Sequence, residues 1–164
     1  MFPQEKTGAI ISGPLKLRIK EVRPGAYVAY HKNKKVGAAI TWNDINHGKF
    51  SIYKSATHPD YQRMGIMRQL YQYIEQTTGK QLTPATALSD DGFEFWKRYR
   101  PEAVKDDLRN MKGELLGKTF EHPKYGKVRI DGVGSGVVRV TLPDEYHNTT
   151  LNRKKLIELG VLNS

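Results

Sequence analysis

Apolar and polar residues alternate over Leu15-Lys16-Leu17-Arg18-Ile19-Lys20, the period-two pattern of a strand with one buried face, and Pro24-Gly25 then marks a turn. Tyr27 to Tyr30 and Val36 to Trp42 are two further β-rich runs. The polar stretch His31-Lys32-Asn33-Lys34-Lys35 between them reads as a solvated hairpin tip. A turn over Asp44 to Gly48 leads into Phe50-Ser51-Ile52-Tyr53-Lys54-Ser55-Ala56-Thr57, so the chain predicts four antiparallel strands before any helix.

After His58-Pro59-Asp60 the period changes. Ile66, Met67, Leu70, Tyr71 and Ile74 fall at helical spacing on one apolar face, and Gly79 supplies the stop. Gln81 to Leu88 holds a short strand that Pro84 restricts to an edge, a bulge or an interrupted pairing. Asp91 with Glu94 predicts a capping box, Phe93 and Trp96 share a face, and Pro101 ends that helix near Tyr99. Val104, Leu108 and Met111 predict a last amphipathic helix.

From Lys112-Gly113 onward the chain turns to glycine-punctuated β-type runs: Lys118 to His122, Tyr125 to Val133 and Val137 to Leu142, with Gly134-Ser135-Gly136 as a hairpin turn. Leu151 to Leu162 closes the unit. The expected organisation is an α/β (α+β) domain over residues 1–111 and a small, basic, β-rich, SH3-like domain over 112–164, packed on the first to gain buried area.

Composition narrows the chemistry. The chain has 164 residues, 27% of them charged, with five Phe, nine Tyr and two Trp to pack, which predicts a folded protein. The lack of cysteine excludes disulfides, thiolate metal sites and a Cys nucleophile, and no metal site is expected. Met1-Phe2-Pro3-Gln4-Glu5-Lys6 has no apolar signal core and no run has membrane-spanning length, so a cytoplasmic protein without a membrane partner is expected. A net charge of +10 calls for an anionic partner, whether a polyphosphate cofactor, nucleic acid or an acidic protein surface. The basic excess is spread over both parts of the chain, which argues against a basic tail.

One segment combines geometry with charge. Gln62-Arg63-Met64-Gly65-Ile66-Met67 lies between a predicted strand and the start of the strongest predicted helix. Such a junction gathers backbone N–H groups and the positive end of the helix dipole, which suits phosphate oxygens. Gly65 supplies an unusual dihedral or a close approach, and Arg63 and Arg68 add charge. From the residues alone, an ordinary strand-to-helix turn stands equally well.

The stretch Ser55-Ala56-Thr57-His58-Pro59-Asp60-Tyr61-Gln62-Arg63-Met64-Gly65-Ile66-Met67-Arg68-Gln69-Leu70 resembles the acetyl-CoA motif of the GNAT N-acetyltransferase superfamily, whose core reads Gln/Arg-x-x-Gly-x-Gly/Ala after a strand and before a helix. The likeness extends from about residue 15 to the Phe93 to Arg100 helix. It implies a mixed, mostly antiparallel splayed sheet flanked by helices. It also implies acetyl-CoA (coenzyme A) as cofactor, with pantetheine along Phe50 to Thr57 and the diphosphate on the amides of Arg63 to Arg68. The implied cofactor-binding residues are Ala56, Thr57, Gln62, Arg63, Met64, Gly65, Ile66, Met67, Arg68 and Trp96. Two positions depart from the family pattern: Met67 stands where Gly or Ala is usual, and Trp96 stands where a helical Tyr usually protonates the thiolate. Only Arg23-Pro24-Gly25 joins the first two strands, where relatives carry one or two helices, so an open acceptor side is expected.

Acetyl transfer to an amine needs a base for the amine proton and an acid near the departing sulfur. Tyr99, one turn beyond Trp96, and Tyr53 on the central strand are the candidate catalytic residues; Ser55, His47 and Glu21 are further candidates for the base. His58 reads as a solvent-facing turn residue, and Phe93, Phe95 and Trp96 as core. In the C-terminal part, Lys124, Lys127, Arg129 and Arg139 with Tyr125 form a nucleic-acid-binding surface, a protein-contact surface or a solubilising face, with protein contact favoured over nucleic acid. The expected function is an N-acetyltransferase moving acetyl from acetyl-CoA to an amine on a protein or other macromolecule. The alternatives are a catalytically weak module that binds and modulates a partner protein (a host protein, were the chain phage-encoded) and a nucleic-acid-contacting protein.

Overall fold

A computed structural model of the chain describes residues 15–163, so the reading of Met1 to Lys6 lies outside the described residues. The chain divides between Thr86 and Ala87 into two compact units, each with its own sheet. This division falls earlier than the compositional shift at Lys112, because Leu108 and Leu115 are buried in the core of the second unit.

The first unit is a five-stranded mixed sheet in the order β1-β2-β3-β4-β5. β1 (Arg18–Arg23) and β2 (Ala26–His31) are joined directly through Pro24 and Gly25, with Gly25 at a φ of 79° that its missing Cβ allows. The Glu21 carboxylate accepts the Gly25 N–H at 3.0 Å and fixes the turn. β3 (Lys34–Asp44) and β4 (Lys49–Thr57) continue the antiparallel pairing. Among the described residues the only parallel pairing is between β4 and the two-residue β5 (Leu82–Thr83), where Phe50 faces Leu82 and Ser51 faces Thr83. The four expected strands are present. The opening strand starts three residues later than its alternation suggested, and Leu15 is buried ahead of it.

Helix α1 (Ile66–Thr78) has the predicted apolar face, burying Ile66, Leu70, Tyr71 and Ile74, and ends at Gly79 in the left-handed conformation. It packs on β2, β3 and β4. The register puts Tyr27, Ala39 and Ser55 in one cross-strand row and Ala29, Gly37 and Thr57 in another. These rows share the helix-covered face, and Tyr27, Ala29 and Ala39 are buried there.

In the second unit, α2 (Asp90–Tyr99) is capped by Ser89, whose Oγ accepts the Gly92 N–H at 3.0 Å. The capping residue is therefore Ser89 and not Asp91. Asp90 and Asp91 instead occupy the first turn, where the helix dipole favours carboxylates. The predicted helix through Val104, Leu108 and Met111 is broken into two 3-10 turns, Pro101–Val104 and Leu108–Met111, followed by the short α3 (Lys112–Leu115). The break is at Asp107, whose extended backbone and carboxylate bond to the Arg109 N–H interrupt the helical path.

Arg109 then locks the segment: its guanidinium bonds Asp107 through Nε and Nη2 and Asp90 through Nη1, and lies 4.7 Å from the Phe93 ring centroid. The side chains of Arg109 and Asp107 are each only 7% exposed. Arg109→Met should therefore leave Asp107 buried without its partner and lower stability by about 3 kcal/mol, readable as a shifted urea midpoint.

The rest of this unit is an antiparallel sheet of β6 (Thr119–His122), β7 (Gly126–Val133), β8 (Val137–Thr141) and β9 (Asn148–Asn152) in sequence order. Gly134 donates to the Val137 carbonyl in the predicted hairpin turn. The closing segment is the end of β9 followed by α4 (Arg153–Glu158), capped by Asn152. The core gathers Val128, Ile130, Val138, Val140, Leu151 and Leu156.

Candidate functional site

The end of β4 and the start of α1 carry the strongest chemistry in the first unit. His58 donates its N–H to the Val36 carbonyl at 2.8 Å, and its Nδ1 accepts the Asp60 N–H at 3.1 Å, which tightens the Pro59–Tyr61 turn. Left-handed residues follow at Arg63 (φ 64°) and Gly65 (φ 78°), with Met64 between them at negative φ. Alternation of this kind turns successive N–H groups toward one concavity, the shape that accepts an anion. Gly65 is the N-cap of α1 and has no side chain with which to satisfy the first amides, those of Ile66, Met67 and Arg68. A Cβ on Gly65 would meet nothing within 4 Å, so glycine serves its dihedral there and leaves open space above the turn.

Gly37 has the opposite reason for being glycine. A Cβ there would lie 2.7 Å from Cγ2 of Ile66, the first residue of α1. Its absence lets the helix start sit directly on β3. Ile66 is itself buried, so only its backbone is available at the turn, whereas Gln62, Arg63, Met64 and Arg68 are exposed and Met67 is half-buried.

β4 leads into this turn with one edge open. Beyond Ser51 no described strand pairs with β4 on its β5 side, so Ile52 to Thr57 present backbone donors and acceptors along that edge. The register shifts between Ile40 and Thr41, which face Lys54 and Ile52, so Tyr53 is the extra residue of a β-bulge. Its side chain is 61% exposed. Ala56 and Thr57 lie on the open edge next to the turn.

Tyr71 of α1 reaches the same strand, donating from its hydroxyl to Ser55 Oγ at 3.1 Å. Burial pushes the Tyr71 hydroxyl up to about 12 from its ordinary 10.0. Between these values the unfolded chain ionises while the folded chain keeps its proton, so stability falls as pH rises through that window. Urea midpoints measured at about pH 9 and about pH 11 should diverge, and Tyr71→Phe should remove that share of the difference.

The structure brings together Ala56, Thr57 and Gln62 to Arg68 with Tyr53 and Ser55 in the first unit. Trp96 and Tyr99 belong to the second unit, where Trp96 is buried and Tyr99 stacks on Phe95 with centroids 5.4 Å apart. Glu21 is committed to the Gly25 turn, and burial, with Glu21 adding to it, raises the Tyr27 hydroxyl above its usual range. His47 binds Asp44 at 2.8 Å on an exposed hairpin, and this bond lowers the Asp44 carboxyl. His31 is not on a solvated tip: it is 2% exposed and packs edge-on to Tyr61, because the hairpin turn proper is Lys32-Asn33, both left-handed.

In the C-terminal sheet Lys124 lies over Tyr125, Lys127 pairs across from Glu121 and Arg139 binds Asp131 at 2.8 Å, a surface of mixed sign. Among the described residues no cluster fits a metal ion, and no helix is long and apolar enough to cross a membrane.

Gly37, Tyr71 and the bulge at Tyr53 escaped the sequence reading as site features. The alternation break between Ile52 and Lys54 carries a trace of the bulge, and Tyr71 was legible only as a core position.

An open strand edge that takes amide groups, running into a left-handed turn that takes anions, suits a ligand with an amide-bearing arm attached to phosphate. The family comparison gives the same direction. Residues 4–83 match the Acetyltransferase (GNAT) family. No curated protein matches the chain significantly. A crystal structure of an aminoglycoside acetyltransferase from an uncultured soil metagenomic sample, in complex with trehalose, is 24% identical, with 49% of this chain and 60% of that one covered and a TM-score of 0.39. The chain thus spans about three fifths of that relative's length. Through residues 4–83, just under half of its length, this chain is similar to the Acetyltransferase (GNAT) family.

Proposed function

We propose that the first unit binds acetyl-CoA and transfers its acetyl group to an amine on a protein or other macromolecule, in a cytoplasmic setting. The observation that carries this reading is the open edge of β4 leading into the Arg63 to Arg68 turn. The residues fit the cofactor: the amides of Arg63 to Arg68 would hold the diphosphate, the Arg63 guanidinium would add charge, and the backbone of Ile52 to Thr57 would take the pantetheine amides. When bound, acetyl-CoA supplies a thioester activated for attack by an amine.

Tyr53, on the bulge and exposed, is the nearest titratable group of β4 to the point where that edge opens, and we assign it the proton-handling role. Ser55 is held by Tyr71 on the helix-covered side, which orients its hydroxyl. A macromolecular acceptor suits the direct β1–β2 hairpin, which leaves no helix between these strands to enclose a small amine.

Thiol release from acetyl-CoA, followed over small amines and lysine peptides, tests the reading. Release that depends on an added amine supports it, and no release with any amine contradicts transfer. The half-buried Met67 and the buried Trp96 favour, as a second reading, a module that binds the cofactor and a partner protein without turnover. Cofactor binding without thiol release would identify it.

A further inference from the structure

The sheet of the first unit has a second face, opposite α1. Its cross-strand rows are Arg18 with Tyr30, then Lys20 with Val28, Ala38 and Ala56, then Ile40 with Lys54, and Trp42 with Ser51. No helix stands between β1 and β2 to cover it. Arg18, Lys20 and Lys54 are exposed, Trp42 is 56% exposed, and Val28 and Ile40 are half-buried between them.

The charge on this face has one sign. β1 to β4 contain two acids: Glu21 lies on the other face and holds the Gly25 N–H, and Asp44 sits at the end of β3 bound to His47. Among the described residues no carboxylate pairs with Arg18, Lys20 or Lys54 within 4 Å. Lys20 on β1 and Lys54 on β4 are three strand spacings apart, so cations flank an aliphatic floor about 14 Å wide.

We infer that this face docks an acidic polypeptide segment that presents the acceptor amine. The inference rests on the proposed acetyl transfer for its purpose, and on the face itself for its chemistry. Carboxylates at the borders would meet Arg18, Lys20 and Lys54, while aliphatic parts of the segment would cover Val28 and Ile40. Lys54 adjoins Tyr53 on the bulge, so a lysine or N-terminus within the docked segment would arrive beside the open edge of β4. A single-stranded nucleic acid needs successive aromatic rings for its bases. Here Arg18 already covers Tyr30 at 4.4 Å, and among the described residues of these rows Trp42 is the one other aromatic ring.

The test is fluorescence anisotropy with the full chain and a labelled peptide of alternating aspartate and glycine around one lysine, compared with its asparagine counterpart and with labelled oligothymidylate. The aspartate peptide should bind at least about tenfold more tightly than the asparagine peptide at low salt, and the difference should shrink as salt rises. Arg18→Glu with Lys20→Glu, both exposed positions, should abolish the preference and leave acetyl-CoA binding unchanged. Equal binding of the two peptides, an undiminished preference in the double variant, or tighter binding of the oligonucleotide would overturn the inference. Acetyl-CoA titrated into the same preparation reports on the proposed function separately, because the peptide measurement needs no cofactor.

Discussion

Gly37→Val should destabilise the first unit more than any exposed substitution and weaken acetyl-CoA binding without touching the ligand. The new Cβ would lie 2.7 Å from Cγ2 of Ile66, a β-branched and buried side chain with no flexible end to swing aside. Either β3 or the first turn of α1 must move. Overpacking of this kind costs about 1–3 kcal/mol, with the extra methyls of valine at the upper end. The first turn of α1 also carries the amides proposed to hold the diphosphate, so a displaced helix start should loosen the cofactor together with the fold. Urea unfolding and calorimetric titration of the same sample check both effects. Unchanged stability would mean that Gly37 does not limit the approach of α1 to the sheet.

Gly65→Trp should behave differently, losing binding far more than stability. The position has a φ of 78°, so any L side chain costs about 1–2 kcal/mol, but nothing lies within 4 Å of the new Cβ. The indole would therefore occupy the open space above the turn, where the diphosphate is proposed to sit, and affinity for acetyl-CoA should fall by about a hundredfold or more. Asparagine separates dihedral from bulk, because it tolerates the left-handed region. Gly65→Asn should keep most of the stability and show an intermediate loss of affinity. If Gly65→Trp binds acetyl-CoA as the unsubstituted protein does, the diphosphate does not lie on this turn.

The strands and α1 were legible because local pattern and tertiary burial agree. The alternation of β1, the helical spacing of Ile66, Leu70, Tyr71 and Ile74, and the stops at Gly25 and Gly79 each state locally what the fold then uses. The turn at Gly65 was legible as a strand-to-helix junction, while its reading as a phosphate grip came from the family resemblance, since an ordinary turn fits the residues equally well. What escaped depends on partners distant in sequence. The bulge at Tyr53 exists only in the register between β3 and β4. The role of Gly37 needs Ile66 above it, and His31 is buried against Tyr61 despite its lysine neighbours. The helix expected over Val104 to Met111 failed because the local bonds of Asp107 outcompete helical ones.

The proposed coenzyme-binding turn is most directly tested by calorimetric titration of acetyl-CoA into the unsubstituted protein. Binding at about micromolar dissociation constant, lost in Gly65→Trp while the urea midpoint shifts only by the cost of the dihedral, is the expected result. No heat of binding at millimolar acetyl-CoA, with the protein folded, would contradict it.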